Sequence, residues 1–176
     1  MKEDLSQSVP AMWSATPTGR VLLTLARALA VAGGLVLFAI IALSVVTVLG
    51  RWLFAAPIQG DFELVQLGCA VCVACFLPYC QVQRGHVIVD FFTLKAGAET
   101  KTMLDGIAAL LLALSTAVIA WRLLLGLVSV RTANESSMIL GVPIWWAYAP
   151  MVAAFALLAG VAAYSAWHDL LARNTG

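Results

Sequence analysis

Residues 103–130, MLDGIAALLLALSTAVIAWRLLLGLVSV, are apolar apart from Asp105 near one end and Arg122 inside the run. A helix rises about 1.5 Å per residue, and about 20 mainly apolar residues cross the hydrocarbon core of a bilayer, so this stretch is long enough to span one. Three further stretches meet the same requirement: Ala28 to Leu49, Phe62 to Val82, and Ile144 to Trp167. None is broken by a run of charges, and the connections between them are short. The expected architecture is therefore all-α and integral to the membrane: one domain of four transmembrane helices over residues 21–172, after a flexible polar tail (1–20) and before a short one (173–176). A cleaved signal peptide is not expected, because the first apolar run is too long and lies too far from Met1.

Composition agrees with that reading. Of the 176 residues 62% are hydrophobic and 11% charged, where a soluble domain has about half and roughly a quarter; the mean hydropathy is +0.97. A net charge of +1 creates no field that would attract nucleic acid, and the aromatic residues lie in apolar stretches rather than among lysines. Nucleic acid binding is excluded on these grounds.

Orientation follows from the placement of the basic residues, since short loops rich in lysine and arginine stay in the cytoplasm. Lys2, Arg20, Arg27, Arg84, Lys95, Lys101 and Arg173 fall on one side, against Arg51 and Arg131 on the other. Both termini and the 84–102 loop are thus expected in the cytoplasm, and the first and third connections outside.

Local chemistry marks the helix ends. Asp61 is the expected N-cap of the second helix, with Glu63 in its first turn favoured by the helix dipole and Gly60 turning the chain before it. Pro143 suits the first position of the fourth helix, where its missing N–H needs no partner, and Gly141 gives the chain freedom to bend. Trp145 and Trp146 then fall at headgroup depth, either anchoring the helix in the interface or facing a partner protein. Pro78 and Pro150 lie inside apolar helices without the glycines and ionisable groups of an ion site, and read as kinks.

Arg122 is the one charge well inside a span. Two readings stand for it: snorkelling toward the outer surface or onto a helix-end carbonyl, or a salt bridge to another subunit. The four cysteines, Cys69, Cys72, Cys75 and Cys80, share the second helix. Their spacing spreads the thiols over an arc and does not bring them into bridging geometry, and no histidine lies near enough to complete a metal site, so they read as small packing residues. His86 and His168 sit at helix ends rather than at matched depth in facing helices, which argues against haem. No catalytic residue, metal or cofactor is expected in this chain.

The connection between the second and third helices begins RGHVIVDFF, residues 84–92. Arg84 ends the second helix at its negative pole, Gly85 supplies a left-handed cap, His86 starts the exit, and Asp90 can cap a short amphipathic turn. These groups lack a nucleophile at useful spacing, and a structural loop is expected rather than catalysis.

Taken with GDFELVQLG (residues 60–68) and SSMILGVPIWWAYAP (residues 136–150, including Tyr148), this loop makes the chain resemble the small membrane subunit, the Q subunit, of tripartite ATP-independent periplasmic (TRAP) transporters. One departure is Phe62 between Asp61 and Glu63, where members of that family often carry tryptophan. The resemblance implies a scaffold or accessory subunit in the bacterial inner membrane. Its partners would be a large membrane (M) subunit, a periplasmic solute-binding protein and lipid. Uptake of organic acids or similar solutes would be driven by an ion gradient, with coupling sodium held by the large subunit. Consistent with a gradient rather than ATP, no P-loop of the form G-x-x-x-x-G-K-[ST] occurs. Three alternatives are the small subunit of a tripartite tricarboxylate transporter, a membrane redox protein with reactive thiols or a chromophore, and an autonomous channel with a polar helix face.

Overall fold

Long apolar runs form helices in a bilayer because a helix satisfies every backbone group within the segment itself. The computed structural model describes residues 13, 16–54, 60–83 and 98–174, with side chains over 13, 16–53, 60–83 and 107–167. It contains four long helices: α1 (Pro17–Phe54), α2 (Asp61–Val82), α3 (Ala98–Thr132) and α4 (Trp145–Asn174). All four are long and apolar enough to cross a membrane. Outside them, the described backbone makes a single isolated antiparallel bridge, Ser136 to Pro143.

The helices pack in a row rather than as a closed bundle. α1 lies on α2, α2 on α4 and α4 on α3, with a slight contact between α1 and α4. Burial follows the row: 33% of the α2 and α4 spans is buried, against 11% of the α1 and α3 spans. The outer helices therefore leave most of their apolar surface uncovered by this chain.

Small residues bring α1 and α2 together, as lipid-exposed helices require when no hydrophobic gain separates them from solvent tails. A side chain at Gly33 would place its Cβ 2.9 Å from Cys75 Cβ, and one at Gly68 would collide with Ile40. The Cys72 thiol donates to the Gly33 carbonyl at 3.3 Å. Cys72 and Cys75 are thus interface packing groups, while Cys69 and Cys80 are exposed and unbridged. On the other side of the row, Gly126 of α3 lets the Tyr148 ring of α4 approach to 3.1 Å of where a Cβ would sit.

Contacts also define which ends meet. Trp13, Ala26, Val82 and Val161 form one buried cluster, joining the start of α1 to the ends of α2 and α4. Trp13 is fully buried, its ring centroid 5.0 Å from that of Tyr164. Thr16 Oγ1 and Tyr164 Oη lie 2.6 Å apart, and the same Thr16 oxygen accepts from Gly19 N–H at 3.1 Å, capping α1. At the opposite end, the start of α2 meets the connection between α3 and α4. The course of the chain is up, down, up, down, and Trp13 and Tyr164 lie at one end.

Several expected boundaries change. α1 starts at Pro17 rather than near Ala28, so the stretch expected as a tail over 1–20 includes buried Trp13 and the first turn of a helix. α3 starts at Ala98 rather than Met103, and α4 runs to Asn174, into the expected carboxyl-terminal tail. Hydropathy marks where a helix meets the membrane surface, but the backbone can stay helical beyond it in water. α2 ends at Val82 with Gln83 as its C-cap. Arg84, Gly85, His86 and Asp90 lie outside the described residues.

Candidate functional site

The corner where α2 begins and α3 hands over to α4 carries most of the polar chemistry of the described chain. Asp61 is not the N-cap of α2: Gly60 is, with φ 82° and ψ 7°. Only glycine takes that left-handed backbone without penalty, and it frees the Gly60 carbonyl to accept from Glu63 N–H at 3.1 Å and Leu64 N–H at 3.3 Å. Asp61 is the first helical residue, and its Oδ1 accepts from Phe62 N–H at 2.8 Å.

Glu63 turns away from its own helix. Its carboxylate accepts from Ser137 Oγ–H at 2.6 Å, Ile139 N–H at 3.3 Å and Leu140 N–H at 3.4 Å. These donors come from the α3–α4 connection, 74 to 77 positions along the chain. Bonds to an ionised acceptor are about twice as strong as neutral ones, so a single side chain ties the start of α2 to this loop. Leu140 then lies over Gly60, its Cγ 2.6 Å from where a Cβ would be.

The loop is itself well specified. Asn134, at φ 50°, closes α3 in a Schellman arrangement, with Asn134 N–H on the Arg131 carbonyl at 3.3 Å and Glu135 N–H on the Val130 carbonyl at 3.1 Å. Ser137 N–H to the Val142 carbonyl at 2.9 Å and Ile144 N–H to the Glu135 carbonyl at 3.2 Å draw its two sides together. Gly141, at φ 65°, makes the return turn. At the tip, Met138 is fully exposed.

Pro143 is placed differently from expectation. It precedes α4, paired with Ser136 in the bridge, and its carbonyl accepts from Trp146 N–H at 3.2 Å as the helix begins. The proline is held by the loop's own pairing, so the helix starts at Trp145. The Arg131 guanidinium lies 5.4 Å from the Trp145 ring centroid, a cation–π pair linking the end of α3 to the start of α4. Trp146 meets Trp145 edge-on at 6.0 Å and is largely exposed.

Asp61, Glu63, Pro143, Trp145, Trp146 and Tyr148 thus gather at one end of the molecule, whereas Arg122 stands apart, exposed along α3. Between Glu63 and the loop opens a shallow cleft of about 460 Å³, lined by Gln66, Leu67, Glu135, Ser136, Met138 and Ile144 among others. Glu63 is already engaged by its loop donors, which makes it a clasp rather than a ligand waiting for a cation. The described residues contain no group of three or more histidine, cysteine, aspartate or glutamate side chains placed to hold a metal.

The clasp partner Ser137 and the Leu140 lid over Gly60 escaped sequence reasoning, as did the Trp13–Thr16–Tyr164 contact. The visible signals were weak: a polar run, NESS at 134–137, in an otherwise apolar region, and a tryptophan inside the polar start of the chain.

Four spanning helices, a structured loop and an engaged acidic corner define a multi-pass membrane protein. A family model described as tripartite ATP-independent periplasmic transporters, DctQ component, matches residues 40–172. The chain belongs to that family, the small membrane subunits of TRAP transporters. Neither the curated proteins nor the solved structures give a match.

Proposed function

We propose that the chain acts as a non-conducting scaffold in a bacterial inner membrane, supporting a large membrane subunit that carries the solute and sodium sites. A periplasmic binding protein delivers the solute, an organic acid or similar molecule. The observation that carries this reading is the character of the interior. The buried polar or charged side chains of the described chain are Thr47, Gln81, Thr116 and Ser165. Thr116 and Ser165 donate to carbonyls of their own helices, Leu112 at 2.6 Å and Val161 at 3.1 Å. Replacing the hydration of a sodium ion or a carboxylate takes several converging polar groups, and these four are spread over all four helices. The largely uncovered faces of α1 and α3, by contrast, offer apolar surface for a second membrane protein.

Reconstitution tests the division of labour. Sodium-dependent uptake is expected only when this chain, the large subunit and the binding protein are all present; uptake by vesicles containing this chain alone would refute the scaffold role. Orientation is tested separately by cysteine labelling in a cysteine-free background. An impermeant reagent applied to cells stripped of their outer membrane should modify Ser136→Cys and spare Lys95→Cys, and the reverse pattern would invert the topology.

A further inference from the structure

Arg122 lies on a span that runs from Ile107 to Thr132. Along the helix it is about 13 Å from Arg131 and about 22 Å from Ile107, at about 1.5 Å per residue. The side chain is exposed, in line with Leu111, Leu114, Val118 and Leu125, which are exposed as well. This face points away from α4, since the buried residues of the same helix are Ala109, Thr116 and Val130.

Snorkelling meets a geometric obstacle at this position. The nearer membrane surface is toward the carboxyl-terminal end of α3, at about the level of Arg131 and its partner Trp145. Helical Cα–Cβ bonds tilt toward the amino terminus, and favoured rotamers carry a long side chain further that way. Reaching that surface therefore sets the long side chain against the direction in which the helix favours it. Nor do the four described helices hold a counter-charge at this depth. α3 carries no carboxylate between Asp105 and Glu135, α1 carries none, and those of α2 and α4 are Asp61, Glu63 and Asp169, near helix ends.

We infer that the α3 face centred on Arg122 is the docking surface for a helix of the large membrane subunit, and that this helix presents a carboxylate to Arg122 within the bilayer. The inference rests on the scaffold reading above and adds to it the face, the depth and the chemistry of the contact. A guanidinium takes a carboxylate in two parallel hydrogen bonds, which fixes the depth of one helix against the other, and leucine and valine on either side supply the packing.

The test is co-purification of the tagged chain with the large subunit from membranes in which both are expressed. Arg122→Leu and Arg122→Glu are expected to lower recovery of the complex by at least tenfold, while the monodisperse yield of the small subunit is unchanged. Arg122→Lys should retain part of it. A photoreactive residue at Ser115, on the same exposed face, should cross-link to the large subunit. Full recovery with Arg122→Glu, or cross-linking at Ser115 to lipid alone, would overturn the docking surface and leave the scaffold reading standing. Failure of the wild-type chain to co-purify would sink both. Recovery of the Arg122→Glu complex by a carboxylate-to-lysine change in the large subunit is the decisive arm, since a folding defect would not be rescued there: rescue is expected, and the lack of any rescuing position would count against the ion pair.

Discussion

Replacing Gly60 by alanine attacks the corner at two points that can be separated. The first is backbone: at φ 82° a residue with a side chain is held in the left-handed region, which costs about 1–2 kcal/mol. The second is space: the new methyl would sit 2.6 Å from Leu140 Cγ and 2.9 Å from its Cδ1, and overpacking of that kind costs about 1–3 kcal/mol. Gly60→Ala should therefore destabilise by about 2–5 kcal/mol. Gly141→Ala is the control. Its φ is 65° but no atom lies within 4 Å of the added carbon, so only the backbone part, about 1–2 kcal/mol, applies. A natural reporter exists in Cys72 and Cys75, each 3% exposed. With Cys69 and Cys80 replaced by alanine, thiol labelling in micelles follows global opening, and each factor of ten in rate is about 1.4 kcal/mol. Labelling is expected to accelerate about 30-fold or more in Gly60→Ala, and by about 5- to 30-fold in Gly141→Ala. Adding Leu140→Ala to Gly60→Ala should return the rate toward that of Gly141→Ala, because only the steric part is relieved. Equal rates for the two glycine variants, with no effect of Leu140→Ala, would refute the account of this corner.

Two neighbouring glycines in α1 should respond differently to one substitution. Gly34 has open space around it and Gly33 faces Cys75, so Gly34→Ala should stabilise by about 1 kcal/mol through helix propensity while Gly33→Ala falls about 1–3 kcal/mol below it; equal thermal unfolding would contradict the close α1–α2 contact. Trp13→Ala should destabilise by about 3–5 kcal/mol in the same assay, as for other large buried aromatics, and an unchanged melting temperature would show that Trp13 contributes nothing to the cluster.

The four spans were legible because each is a run of mainly apolar residues long enough to cross a bilayer, and a helix satisfies the backbone of such a run within the segment itself. Helix limits were less so. Arg20 and Arg27 mark the edge of the apolar run, yet the helix passes through both, since an arginine at a helix surface in water does not interrupt it. Packing of Cys72 and Cys75 was readable from their size and the lack of partners. Gly60 was legible as the turn before α2, but the cap was expected at Asp61, which has the chemistry for it, and falls to Gly60 instead; the bonds of Glu63 were not legible, because they depend on a loop more than seventy positions away. For Arg122 the sequence supplied both readings, snorkelling and a salt bridge to another subunit, and the proposed docking surface takes up the second.

The length of α1 has a mechanical consequence. Its 38 residues extend about 57 Å, while a helix tilted by as much as 40° uses about 39 Å to traverse a hydrocarbon core of about 30 Å. About 18 Å of rigid rod must then stand clear of the bilayer, and the arginines at 20 and 27 place it at the amino-terminal end. Such a rod magnifies small movements: a change of about 10° in the tilt of α1 carries its tip through about 3 Å. The contact between Thr16 and Tyr164 fastens that tip to α4, so the outermost helix is linked at its lever end to a helix two places away in the row.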